Sequence, residues 1–163
     1  MGWSAKYAER IAVMEAKLAT VTLVDWARLA AFIDGEGYVG LARNGRKSGS
    51  TISNRISITS VDPRLPNWLK ETFGGTVVIQ PTNPSRHKIA YQWSVASRHA
   101  ALILTQVRPL LLIKDRQADI VLAFRALLNF GRNTRLSEAE IAERDRMQQE
   151  ITKVNKRGVP SGV

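Results

Sequence analysis

The sequence predicts an α+β fold in which one four-stranded antiparallel sheet packs on helices, with an αββαββα core. Three observations predict it. Apolar residues recur at helical spacing before residue 35 and then alternate singly with polar ones over 52–59. Two pairs of strand-like stretches are each joined by a loop rich in glycine or proline, at 44–50 and 81–87. A helical stretch separates the two pairs, and further helical stretches follow them. At 163 residues the chain is long enough for one domain with a substantial core and short for two.

Residues 4–19 read as an amphipathic helix, with Ile11, Met14 and Leu18 on one side and Glu9, Glu15 and Lys17 elsewhere. A second helix begins at Asp25 and runs to Asp34, with Gly35-Glu36-Gly37 as its stop. In 52–59, Ile52, Ile56 and Ile58 are apolar whereas Ser53, Arg55, Ser57 and Thr59 are polar, the pattern of a half-buried strand. Its partner is 38–43, across the loop 44–50. A helix containing Trp68, Leu69, Lys70 and Phe73 comes next. The second hairpin joins 76–80 to 88–95, where Ile89, Tyr91, Trp93 and Val95 alternate with Lys88, Ala90, Gln92 and Ser94. Helices are expected at about 98–107 and 113–129, the latter with Ile113, Ile120, Phe124 and Leu127 at helical spacing. Ser137-Glu138-Ala139-Glu140 resembles a capping box that opens a last helix to about Val154. The chain thus divides into a helical extension at 1–22, a single domain at 23–155 and a flexible tail at 156–163.

Composition excludes several classes of function. Cysteine is absent, which removes disulfides and thiolate metal sites and fits a reducing interior. No apolar run reaches the eighteen or so residues needed to cross a membrane. The N-terminus leads into charged amphipathic sequence rather than a signal peptide, so a soluble intracellular protein is expected. Lys and Arg total 24 against 14 Asp and Glu, a net charge of +10 that suits a polyanionic partner. Its distribution is more specific. No acid occurs between Tyr38 and Val61 or between Thr72 and Ser97, the stretches that form the two hairpins.

One face of such a sheet packs on helices and the other is solvated. The solvated face is expected to show Arg43 or Asn44, with Arg46, Ser53, Arg55, Ser57, Gln80, Lys88, Gln92 and Ser94. The hairpin tips add Lys47, Thr82, Asn83, Arg86 and His87. Arginine forks onto guanine, and asparagine or glutamine onto adenine, in the major groove of double-stranded DNA, which admits a two-stranded ribbon. Strands of about nine residues reach roughly 30 Å, or about nine base pairs, so one chain spans a half-site. An ordinary solvated sheet face is the simpler alternative; the missing acids weigh against it.

Asp34 and Glu36 lie at a helix C-terminus, where the macrodipole already disfavours carboxylates. A divalent cation reverses that sign, and hard oxygen ligands suit Mg²⁺, with Mn²⁺ able to substitute. The small pair Ala30-Ala31 lets a second helix approach closely, so two copies meeting at a two-fold axis would gather acids from both.

Leu29-Ala30-Ala31-Phe32-Ile33-Asp34-Gly35-Glu36-Gly37 closely resembles the motif that names the LAGLIDADG homing endonucleases, and the expected hairpins and helices follow it. The resemblance covers about Asp25 to Asn129. It implies a magnesium-dependent endonuclease that cuts both strands of a long, nearly palindromic DNA site. A single copy of the motif implies a homodimer through the 25–36 helix. Glu36 matches the acid that binds catalytic metal, Gly35 the residue that offers a backbone carbonyl, and Asp34 an earlier acid of mainly structural role. Glu36 replaces the motif's aspartate, keeping the charge with a longer reach. Lys114, in Arg108-Pro109-Leu110-Leu111-Leu112-Ile113-Lys114-Asp115, matches an active-site lysine. Arg64 matches a peripheral active-site base, and Ser60 falls where related proteins often carry glutamine or another larger polar group that positions water. Two rivals follow from the same resemblance: an RNA-splicing maturase and a catalytically dead DNA-binding regulator. The helix at 4–19 lies outside it; extension of the dimer, DNA contact and plain core packing are its three readings.

Overall fold

The computed structural model describes residues 2–45, 51–80, 85, 88–128 and 136–156. Helix α1 (Gly2–Ala19) precedes α2 (Leu23–Glu36) and the hairpin β1 (Gly37–Asn44) and β2 (Thr51–Ser60). Then come α3 (Arg64–Phe73), β3 (Thr76–Gln80), β4 (Ala90–Ala96) and α4 (Ser97–Val107). A 3-10 turn at Arg108–Leu110 leads to α5 (Asp115–Ala126) and α6 (Glu138–Asn155). The strands form one antiparallel sheet in the order β1-β2-β4-β3, the α+β architecture expected from the sequence.

The helices cover one face of this sheet: α5 and α6 lie against β1, α4 against β2 and α3 against β4. Val39, Ile56, Ile58, Trp93 and Val95 project from that face into a core completed by Leu29 and Ile33 of α2, Phe73 of α3, Ile103 and Leu104 of α4, and Phe124 of α5. Trp93 is fully buried, and its indole N–H donates to the Gly74 carbonyl at 2.7 Å, so the largest core side chain carries no unpaired polar atom. Asn54 lies on the same face among apolar neighbours. Its Nδ2 donates to the Ser97 carbonyl at 2.8 Å and ties the β4–α4 junction, where Ser97 has φ +54°. The expected capping box opens α6: the Ser137 hydroxyl accepts from the Glu140 N–H, and the Glu140 carboxylate accepts from the Ser137 N–H. No helix of the described residues is long and apolar enough to cross a membrane.

Several boundaries differ from the sequence reading. Helix α2 starts earlier, capped by the Thr22 hydroxyl on the Asp25 N–H, and it runs through Gly35 and Glu36. Its stop is Gly37, whose φ of −82° is not left-handed. Glycine is needed there for space, because a Cβ would stand 2.7 Å from the Ile33 Cα where the chain turns directly from helix into strand. Helix α5 begins at Asp115 rather than 113, leaving Leu112 and Ile113 outside it and 88% and 69% exposed. Strand β4 begins at Ala90, so Ile89 is exposed instead of facing the core. β3 has only five residues and spans about 17 Å, shorter than the reach expected of each strand. The tail from 157 lies outside the described residues.

Candidate functional site

The C-terminal end of α2 is an organised polar junction. The Asp34 carboxylate accepts three backbone N–H groups, from Leu112 at 2.8 Å, Ile113 at 3.1 Å and Lys114 at 2.9 Å. Asp34 thereby ties the 112–114 segment ahead of α5 to the end of α2. Lys114 then reaches back, its Nζ donating to the carbonyls of Ile33 at 2.7 Å and Asp34 at 3.1 Å. Those carbonyls belong to the last turn of α2, at the negative end of its dipole, and the Ile33 carbonyl also accepts from the Gly37 N–H. Burial lowers the pKa of Lys114, opposed by the charges of Asp34 and Glu36. Glu36 is the acid of the pair left over. It is exposed, lies within electrostatic range of Lys114, and among the described residues no hydrogen bond or ion pair engages its carboxylate.

The donor chemistry of this end suits a hard divalent cation, since Glu36 offers a carboxylate and Gly35 a carbonyl in exposed positions. One chain supplies a partial set. Among the described residues no group of three or more acids or histidines could hold a metal ion.

On the outward side of α2, Leu23, Ala27, Ala31 and Gly35 are exposed at spacings of four residues, with Val24 beside them. A Cβ at Gly35 would meet nothing within 4 Å. The Ala30-Ala31 expectation is half corrected here: Ala31 faces outward, but Ala30 is 1% exposed and belongs to the core of its own chain.

Strand register sorts the expected DNA-facing residues. Arg55 opposes Gly40 and Ala96, Ser57 opposes Tyr38 and Ser94, and Thr59 opposes Gln92, so these share the outer face. Thr76, Val78 and Gln80 of β3 join them. Asn44 and Ser53 lie on this face and are bonded at 2.6 Å. Gln80 donates to Gln92 at 2.8 Å, and Gln92 donates to Thr59 at 3.3 Å, a polar ladder across three strands. Lys88 is exposed just ahead of β4. Arg43 is the correction: it opposes Ile52 in the core-facing register, and its guanidinium bonds Asp145 of α6 at 2.6 Å. Of the alternatives Arg43 or Asn44, the pleat selects Asn44. Ser57 is a second correction, on the expected face but only 7% exposed, enclosed between its cross-strand neighbours Tyr38 and Ser94. Arg46, Lys47, Thr82, Asn83, Arg86 and His87 lie outside the described residues.

Sequence reasoning missed Tyr38 and Thr59 on the outer face. Tyr38 lies over Gly40, where a Cβ would collide with its ring; burial raises its pKa against the opposing charge of Arg55. Thr59 was legible as a polar alternate of β2. Arg64 and Ser60 form a separate turn. Arg64 opens α3 and forks onto Asp62, with Nε to Oδ1 at 3.0 Å and Nη2 to Oδ2 at 2.5 Å, and the Ser60 hydroxyl accepts from the Asp62 N–H at 3.0 Å. The guanidinium lowers the pKa of Asp62 to about 2. Among the described residues no hydrogen bond or ion pair joins this turn to Glu36 or Lys114.

No protein-family model matches the sequence, and no curated protein matches it. Solved structures do. The chain is similar to the homing endonuclease I-CvuI in complex with its target, at 16% identity over 86% of this chain and 87% of that one, with a TM-score of 0.67. It is similar to the archaeal intron-encoded homing endonuclease I-Vdi141I complexed with DNA, at 17% identity over 83% and 86% of the two chains and a TM-score of 0.69. The I-SmaMI LAGLIDADG homing endonuclease bound to cleaved DNA matches at 17% identity, over 81% of this chain but 45% of that one, with a TM-score of 0.62. The chain has the LAGLIDADG homing endonuclease fold.

Proposed function

We propose that the chain is a site-specific double-strand DNA endonuclease of the homing type, acting as a homodimer with a divalent metal on a long, nearly palindromic site. The observation that carries the reading is the pairing of an uncommitted Glu36 with a fixed Lys114 at the end of a helix that runs straight into an acid-free sheet. The structures it resembles support it: they are homing endonucleases bound to DNA, I-CvuI among them with calcium or magnesium present. So do the spans of the matches. The chain corresponds to most of I-CvuI and to less than half of I-SmaMI, as expected if two copies do the work of one longer chain.

In this reading the exposed stripe Leu23, Ala27, Ala31 and Gly35 meets its two-fold mate, because small residues allow two helix backbones to approach closely. Two Glu36 carboxylates and two Gly35 carbonyls would then be brought together and would hold Mg²⁺, or Mn²⁺ in its place. The metal, when bound, supplies activation of water and neutralisation of the leaving oxygen. Lys114 holds its ammonium beside the reacting phosphate, where a fixed cation in a partly buried setting stabilises charge that develops on the phosphoryl oxygens. Asp34 works one step back, holding the 112–114 backbone and so the base of the Lys114 side chain. Arg64 and Ser60 approach the scissile region only if the duplex bridges their turn to α2. On the outer face Arg55, Asn44, Ser53, Gln80, Gln92, Ser94 and Lys88 contact the half-site, Arg55 by forking onto guanine or phosphate.

The test is selection of cleaved duplexes from a randomised DNA library in Mg²⁺, with the mass of the protein in solution measured alongside. A dimer that cuts one near-palindrome on both strands supports the reading. RNA binding without DNA cleavage favours the maturase role instead, and DNA binding without cleavage the regulator.

A further inference from the structure

We infer that α1 extends the DNA-binding face and grips the sugar-phosphate backbone of the duplex beside the sheet, an inference that rests on the reading above. A cleft of about 780 Å³ separates α1 from the sheet. The α1 wall carries Tyr7, Arg10, Met14 and Lys17 along one face of the helix, with Glu9 and the apolar Ile11 and Val13 beside them. The other wall includes Arg55, Thr76 and Ser94, outer-face positions of β2, β3 and β4. The cleft is therefore continuous with the face that meets the half-site, and Arg55 belongs to both.

Helix α1 is held for this task. Ile11 and Leu18 are 9% and 7% exposed against the body of the protein, and Glu15 pairs with Arg98 at 3.2 Å. The remaining lining charges are unbalanced. Among the described residues no carboxylate pairs with Arg10, Lys17 or Arg55, and Glu9 is the acid on the wall. The His99 ring is bonded to the Phe73 carbonyl at 2.7 Å, and burial lowers its pKa. Arg10 and Lys17 stand seven residues apart, which is about 10 Å along the helix and about three base-pair steps of duplex. Flexible cations with hydroxyls of serine, threonine and tyrosine are backbone-contacting groups, which position a duplex without reading its bases. The occupant is thus duplex backbone flanking the bases read by the sheet.

The experiment compares the full chain with Arg10→Ala/Lys17→Ala for binding to the selected site and to a scrambled duplex of equal length, over a salt series. The double variant should lose roughly 10- to 100-fold in affinity near about 0.1 M salt, and its log–log salt slope should be shallower by about 1.8, the release of two phosphate contacts. Both duplexes should be affected alike, and Arg10→Lys/Lys17→Arg should restore the slope even if the alanine variant melts earlier. An unchanged slope while the parent binds DNA overturns the inference and leaves the endonuclease reading standing. A loss confined to the selected site also overturns it, as does a changed oligomeric mass, which would give the cleft to a second copy. If the parent binds no duplex at all, the endonuclease reading itself falls and takes this inference with it.

Discussion

The end of α2 and the outer face of the sheet use charge in opposite ways. At the helix end Asp34 and Lys114 are committed inward, three backbone N–H groups to the carboxylate and two carbonyls to the ammonium, and only Glu36 is left facing out. On the sheet Arg55 has no carboxylate partner among the described residues, and its neighbours bond one another through hydroxyls and amides. The difference fits the separate roles proposed for the two regions. A junction whose Asp34 and Lys114 are both paired fixes the distances around Glu36, as the proposed chemistry needs. A face with paired amides and an unpaired cation keeps its polar groups ordered while leaving positive charge for a polyanion.

The contrast can be broken at either end. Lys114→Met removes the fixed cation and should lower cleavage per bound complex by roughly 10²–10³-fold while leaving DNA affinity nearly intact, measured as single-turnover cleavage against binding. Because burial lowers the Lys114 pKa, its charge is lost at a lower pH than that of an ordinary lysine. Cleavage should therefore fall earlier on the alkaline side than in Lys114→Arg. Asp34→Ala strips three backbone donors of a charged acceptor and should cost about 2–3 kcal/mol in denaturant unfolding. On the sheet, Arg55→Ala should weaken binding about tenfold and make the salt slope shallower by about 1. Arg43→Ala, the same change on the helix-facing side, should leave the slope unaltered and cost at most about 1 kcal/mol of stability. Equal slopes for the two arginine variants would erase the distinction between the faces. The smallest effect belongs to the Asp62–Arg64 turn. Its carboxyl drops from 3.8 to about 2 on folding, so its stabilisation is present above about pH 4 and lost as pH falls toward 2. Arg64→Ala should flatten that acid limb of the melting temperature.

Much of this was legible in the sequence, for physical reasons. Period-two alternation set both hairpins, and the capping box at Ser137 set the start of α6, because both signals are local. Three kinds of information were not local. Arg43 and Asn44 are adjacent, so only the register shows which one the pleat turns outward. Ile113 fits helical spacing, yet it lies ahead of α5, in a segment held by a carboxylate 79 residues away. Asn54 interrupts an apolar face because its partner, the Ser97 carbonyl, arrives from a distant strand end. The motif at 29–37 marked Asp34 and Glu36 together; the two acids are told apart only by where 112–114 folds back.

The most direct measurement is binding and cleavage of the selected site by Glu36→Gln beside the parent chain, in Mg²⁺. The parent should cut both strands, and the variant, nearly identical in shape, should hold the same duplex with similar affinity and cut neither. Cleavage by Glu36→Gln at the parent's rate would contradict the assignment of Glu36 as the metal-holding acid and with it the catalytic role of this end of α2.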